Sequence, residues 1–224
     1  MAGTLLAILM ARRGFRIDLF EQHPDPRSGD GCLQLCSNLA LGERARYALR
    51  ITGLLRQVEA LSTQMRGRLI HDRAGNVTEQ PYGYRDYETL YSVRRESLQQ
   101  CLLNEAELHP EIRVHFDRRL RSVDWSGKTA VFSHNGDAAL HHQRFDVLIG
   151  ADGATSGVRR ALQDGFDIEV REEMLDAGYK YLSVPPRRDD RHGETGDHVE
   201  QRHQAEHEEG GGAAGRDRQE LDQV

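Results

Sequence analysis

Phe145-Asp146-Val147-Leu148-Ile149-Gly150-Ala151-Asp152-Gly153-Ala154-Thr155-Ser156-Gly157-Val158-Arg159 decides the fold. Its first five residues have the apolar, β-branched character of a buried strand, and Ser156 stands where a helix would be capped. Between them lies a Gly-x-Asp-Gly turn. Glycines there let a ligand approach the backbone, the new helix start favours phosphate, and Asp152 and Gly153 are candidates to hold a nucleotide. A plain strand-to-helix turn would use the same capping serine, so the motif needs support from elsewhere in the chain.

Support comes from the other end. Leu5, Leu6, Leu9 and Met10 recur at helical spacing and Gly14 follows, which predicts a helix over 2–13. Phe15 to Phe20 alternates as a strand and runs into Glu21. Helix, strand and terminal carboxylate form the second half of a dinucleotide-binding crossover. Gly3 is then the glycine that lets helix and sheet approach closely, and Glu21 the carboxylate that accepts from ribose hydroxyls. The strand and glycine turn that open such a unit are expected to be missing. Further along, the patterns predict a helix over 38–55, strands at 68–71, 76–80 and 89–93, a helix over 96–108, β segments at 114–116, 120–125, 129–134 and 145–149, and a helix opening at Val158.

The chain has 224 residues, 38% of them hydrophobic and 29% charged, so part of it is expected to stay unpacked. That part is 187–224, a polar stretch with almost no large apolar side chains, read as a disordered tail behind one domain spanning 1–186. Its irregularly spaced histidines make a poor metal site, and the abrupt change after Pro185-Pro186 raises the alternative of a non-native reading frame. A formal charge of −6 argues against nucleic-acid binding. Cys32, Cys36 and Cys101 are odd in number without paired metal-ligand spacing, which fits a reducing, cytoplasmic setting. The apolar start precedes Arg12 and Arg13 where a signal peptide has its basic residues first, and no run reaches the ~18 apolar residues of a spanning helix.

Gly-Ala-Asp-Gly-Ala-x-Ser-x-Val-Arg (150–159) is similar to the second conserved motif of class A FAD-dependent aromatic hydroxylases. With Asn38-Leu39-Ala40-Leu41, Met65-Arg66-Gly67-Arg68-Leu69-Ile70-His71, Gln80-Pro81-Tyr82-Gly83, Ser92-Val93-Arg94-Arg95 and Gly178 to Pro186, the chain resembles the kynurenine 3-monooxygenase family from about residue 2 to 186. The resemblance implies an α/β fold: a Rossmann-like FAD-binding domain carrying part of an inserted substrate-binding β-sheet at about 64–93, without the first strand and the C-terminal part. It implies FAD as cofactor, NADPH as co-substrate and L-kynurenine as the aromatic amino acid hydroxylated at C3. By residue, it places Arg68 and Tyr82 on the substrate carboxylate, Arg95 and Leu120 on FAD, Glu21 on the adenosine ribose, and Gly3, Asp152 and Gly153 around the cofactor. A guanidinium fork with an oriented phenol suits a carboxylate. No side chain is assigned as a general base, because the redox chemistry belongs to the flavin.

The chain departs from the family where Gln34-Leu35-Cys36-Ser37 replaces Gly-Arg-Ser-Ile, and it lacks the second Gly-Asp flavin motif. The expectation is therefore an incomplete or inactive enzyme. Two alternatives stay open: a non-catalytic remnant that binds a nucleotide or partner weakly, and another FAD-dependent aromatic hydroxylase or halogenase. The oligomeric state is open as well.

Overall fold

The computed structural model describes residues 1–28, 38–85, 87–134 and 139–173, and the strands Lys180–Val184 and His198–Arg202. Cys32 and Cys36, the Gln34–Ser37 departure, Gly178 and Tyr179, Pro185-Pro186 and most of 187–224 lie outside the described residues. The chain divides into two units, Met1–Arg171 and Glu172–Val224.

In the first unit, helix α1 (Ala2–Ala11) is followed by Gly14 at φ 83°, a left-handed position that turns the chain into strand β1 (Ile17–Phe20). β1 pairs in parallel with β7 (Ile112–His115), Ile17 opposite Ile112 and Phe20 opposite His115. Helix α4 (Arg95–Glu107) precedes β7 and packs on α1, so two helices cover the parallel pair. Ile8 of α1 is completely buried, with Ala7 and Ala11 beside it, against Leu98, Cys101, Leu102 and Ala106 of α4. Burying a side chain the size of Ile8 contributes about 1.5–3 kcal/mol.

The expected helix over 38–55 is instead strand β2 (Asn38–Leu41), helix α2 (Glu43–Ile51) and the approach to helix α3 (Leu55–Ala60). Gly42 is extended, with ψ 169°, and caps α2, so the helix cannot reach further back. Leu39 and Leu41 alternate and lie opposite Val93 and Tyr91 of β6 (Leu90–Arg94). β3 (Ser62–Met65) pairs on the other edge of β6, giving the antiparallel order β2-β6-β3. Strands β4 (Gly67–His71) and β5 (Val77–Pro81) form a separate hairpin. Strands β8 (Arg118–Asp124), β9 (Thr129–His134) and β10 (Leu140–Arg144) form an antiparallel meander, and α5 (Gly157–Gly165) packs on β8.

The strand expected at 145–149 joins no ladder. Phe145 N donates to Lys128 O, but Val147 and Ile149 are 76% and 53% exposed. An extended apolar segment becomes a strand only when a neighbour takes its amides and carbonyls, and the described residues offer none here. β1 likewise pairs with β7 alone among the described strands.

In the second unit, β11 (Lys180–Val184) pairs antiparallel with β12 (His198–Arg202), Lys180 opposite Arg202. The boundary that composition places after Pro186 thus falls inside this unit, and one strand lies within the stretch expected to be without structure.

Candidate functional site

The 150–157 turn is built around one carboxylate. Asp152 Oδ1 accepts from the Ser156 hydroxyl at 2.5 Å, and Oδ2 accepts from the amides of Gly157 and Val158 at 2.6 and 3.1 Å. Ser156 Oγ accepts in turn from Arg159 N at 3.0 Å. Burial pushes the Asp152 carboxyl up, but the hydrogen bonds from Ser156, Val158 and Gly157 outweigh it and hold its pKa below the ordinary value. Gly153 sits at φ 79°, a conformation that favours glycine. A Cβ on Gly150 would lie 2.9 Å from Val158 Cβ, so only glycine lets the turn close on the helix it starts.

These bonds change one expectation. The start of α5 does not offer its first amides to a phosphate, because Asp152 and Ser156 already occupy them. The start of α1 has neither a side-chain cap nor an acidic residue in its first turn.

The other predicted cofactor residues lie on α1, after β1, on α4 and on β8. A Cβ on Gly3 would meet Ala151 Cβ at 3.2 Å and Leu19 Cδ1 at 3.3 Å, which places the start of α1 between β1 and the 150–153 turn. Glu21 follows β1 directly, its amide bonded to His115 O and its Oε1 to His23 N. Burial lowers the Met1 ammonium, with the charges of Glu21 and Arg95 acting on it in opposite directions. Leu120 of β8 lies against Gly157, where an added Cβ would be 3.6 Å from its Cδ2. Gly3 thus lies beside the 150–153 turn, and Leu120 beside the start of α5 that Asp152 holds.

Arg68 and Tyr82 belong to the β4–β5 hairpin. Arg68 lies opposite Gln80 and donates from Nε to Gln80 Oε1 at 2.7 Å. Tyr82 N donates to Arg66 O at 2.9 Å and so prolongs the ladder. With a side-chain period of two, Arg68, Gln80 and Tyr82 share one face. Tyr82 also lines a cavity of about 290 Å³ with Leu41, Arg46, Tyr87, Glu88 and Leu90, whereas Arg68 is not part of that wall.

Sequence reasoning missed Arg46, which lines this cavity. It pairs with Glu59 at 2.5 Å, lies 4.9 Å from the Tyr91 ring centroid, and has a buried Nε without a partner. Its place in a charged, amphipathic helix gave no signal, since both partners lie on other elements. Among the described residues no cluster of acidic, histidine or cysteine side chains is fit to hold a metal ion, and no helix is long and apolar enough to cross a membrane.

A parallel β pair covered by helices, a glycine-tight helix start beside an acidic strand end, and a second glycine turn define a dinucleotide-binding α/β protein. Residues 1–211 match the model of the FAD binding domain, and the chain belongs to that family. It is 44% identical over 186 residues to a kynurenine 3-monooxygenase of Stenotrophomonas maltophilia, and 39% identical over 186 residues to one of Salinispora tropica. Each match covers 83% of this chain and 41% of the relative, so the chain spans about two fifths of the length of these relatives. Among solved structures, it resembles 2-methyl-3-hydroxypyridine-5-carboxylic acid oxygenase (TM-score 0.63, 20% identity, 82% of this chain and 44% of that one). It also resembles a probable FAD-dependent monooxygenase from Pseudomonas aeruginosa (TM-score 0.59, 21% identity, 82% and 48%). At such identities these two show the fold. The family's cofactor is FAD, and the residues present would fit it: a helix start without a side-chain cap, an acidic residue following β1 and a turn with a glycine at positive φ.

Proposed function

We propose that this chain is the cofactor-binding and substrate-docking part of an FAD- and NADPH-dependent monooxygenase that converts L-kynurenine to 3-hydroxykynurenine in a reducing, cytoplasmic setting. The observation that carries the reading is the shared hairpin face of Arg68, Gln80 and Tyr82 in a chain 44% identical to an enzyme of that name. On this reading the start of α1 takes the pyrophosphate, Glu21 the adenosine ribose, and Arg95, Leu120 and Gly153 the rest of the flavin nucleotide. Asp152 acts one step back, by holding the turn. Bound flavin supplies the oxygen-inserting chemistry. The chain's own residues orient the substrate: the Arg68 guanidinium exchanges Gln80 for the kynurenine carboxylate, and the Tyr82 hydroxyl donates to the same group.

The test is direct. The purified chain is reconstituted with FAD, and NADPH oxidation is followed with and without L-kynurenine. Bound flavin with kynurenine-stimulated oxidation supports the proposal, and Arg68→Ala should weaken kynurenine binding at least tenfold; unchanged affinity excludes the substrate assignment. Exposed Val147 and Ile149 favour a second reading, a nucleotide-binding remnant without turnover. It predicts bound FAD with no NADPH oxidation. Another aromatic substrate on the same scaffold predicts turnover that L-kynurenine does not stimulate.

A further inference from the structure

L-kynurenine, read above as the substrate, is an α-amino acid, and Arg68 with Tyr82 answers only its carboxylate. An ammonium group that leaves water needs an anion or several oxygens in place of its hydration shell. That group stands one carbon from the carboxylate, so its partner must lie close to the Tyr82 side chain. Tyr82 lines the cavity of about 290 Å³, a volume at the lower end of small-molecule sites, which run from ~300 to ~1,000 Å³. Leu41 and Leu90 give the cavity an apolar wall, and two carboxylates, Glu43 and Glu88, line it as well.

The two carboxylates differ in what already holds them. Glu43, in the first turn of α2, accepts from Arg50 at 3.1 Å. Glu88 uses one oxygen to fasten the turn that follows Tyr82: Oε2 accepts from Tyr84 N at 2.8 Å and from Arg85 N at 3.3 Å, and Glu88 N donates to Arg85 O at 2.9 Å. A Cβ on Gly83 would fall on Glu88 Cβ, so the glutamate is packed directly against the residue after Tyr82. Among the described residues no cation pairs with Glu88, and Oε1 accepts no hydrogen bond. The neighbouring Arg85 donates from Nη1 to the Tyr87 hydroxyl instead, and Arg46, the cation on the same wall, is turned to Glu59 and the Tyr91 ring. Glu88 therefore brings to the cavity a carboxylate held in position by one oxygen and open at the other.

We propose that Glu88 takes the α-ammonium group of the substrate through Oε1, and so selects an α-amino acid over the same molecule without its amino group. The proposal rests on the reading of Tyr82 given above. Affinities of the FAD-loaded chain are measured for L-kynurenine and for its analogue with hydrogen in place of the α-amino group, in the wild type, Glu88→Gln and Arg68→Ala. Glutamine keeps an oxygen for the Tyr84 and Arg85 amides and removes the charge. The expected result is a roughly five- to tenfold preference of the wild type for L-kynurenine, which Glu88→Gln abolishes by weakening L-kynurenine alone. Arg68→Ala should weaken both ligands alike, since both carry the carboxylate. A wild type that binds the two ligands equally, or a Glu88→Gln that weakens both equally or neither, overturns the role of Glu88 and leaves the carboxylate assignment standing on Arg68→Ala. A wild type that binds neither ligand overturns the kynurenine reading and the role of Glu88 with it. If Glu88→Gln does not fold, Glu88→Asp, which draws the charge back by one methylene, should narrow the preference, and an undiminished preference overturns the proposal.

Discussion

Replacing Asp152 by alanine tests whether the Gly-x-Asp-Gly turn is held by its own carboxylate or by a ligand. The substitution removes three acceptor contacts: Ser156 Oγ at 2.5 Å, Gly157 N at 2.6 Å and Val158 N at 3.1 Å. Water replaces the carboxylate at the two exposed amides, so the cost is that of a lost helix cap, about 1–2 kcal/mol, plus ~0.3–1 kcal/mol for the lost negative charge at a helix start. A total of about 2 kcal/mol lowers the melting temperature of a chain this size by roughly 4–8 °C. The sign of the pH dependence follows from the depressed carboxyl. Its contribution is complete above the unfolded-state pKa of about 3.9 and is lost as pH falls through the lower folded-state value. Thermal melts without flavin should show the full wild-type to variant gap between about pH 5 and 8, narrowing below about pH 4. Ser156→Ala should be sub-additive with it, since Ser156 Oγ both donates to Asp152 and caps Arg159 N. A melting temperature unchanged at neutral pH, or a gap that persists undiminished at low pH, would refute the reasoning.

Gly150→Ala brings a Cβ to 2.9 Å from Val158 Cβ and should cost about 1–3 kcal/mol by overpacking, checked by urea unfolding; a neutral result would mean the turn moves freely against α5. Gly83→Ala brings a Cβ onto Glu88 Cβ and to 2.8 Å from Glu88 O, forcing the turn after Tyr82 outward. Kynurenine affinity should fall severalfold while FAD affinity holds, and equal loss of both would place Tyr82 away from the substrate.

The sequence made α1, β1, α4, the β4–β5 hairpin and the meander strands β8 and β9 legible because each has its apolar period and stop signals within one window. Gly14 after α1 and Pro110 after α4 are such signals. What failed was decided between elements. The stretch 38–55 carries leucines compatible with a helix, but Leu39 and Leu41 lie opposite Val93 and Tyr91, distant in sequence, and only Gly42 marks the break. The candidate cofactor residues were legible as types at known separations, whereas the approach of Gly3 to Ala151 was not, because it joins segments far apart in sequence. Arg46 gave no signal, because its partner Glu59 lies on another helix.

The same distinction explains why the segment that reveals the fold is not itself a strand. Val147, Leu148 and Ile149 report an environment suited to burial, but a ladder needs a second backbone, and β1 across the start of α1 also has one edge unpaired among the described residues. A Cβ on Gly3 would meet both Leu19 of β1 and Ala151, so the start of α1 lies close to both segments, which no strand joins among the described residues. The turn beyond Ile149 is independent of that ladder, since Asp152, Ser156 and the first amides of α5 close it locally. The glycine turn and its capped helix can therefore form while the apolar run that leads into them stays exposed.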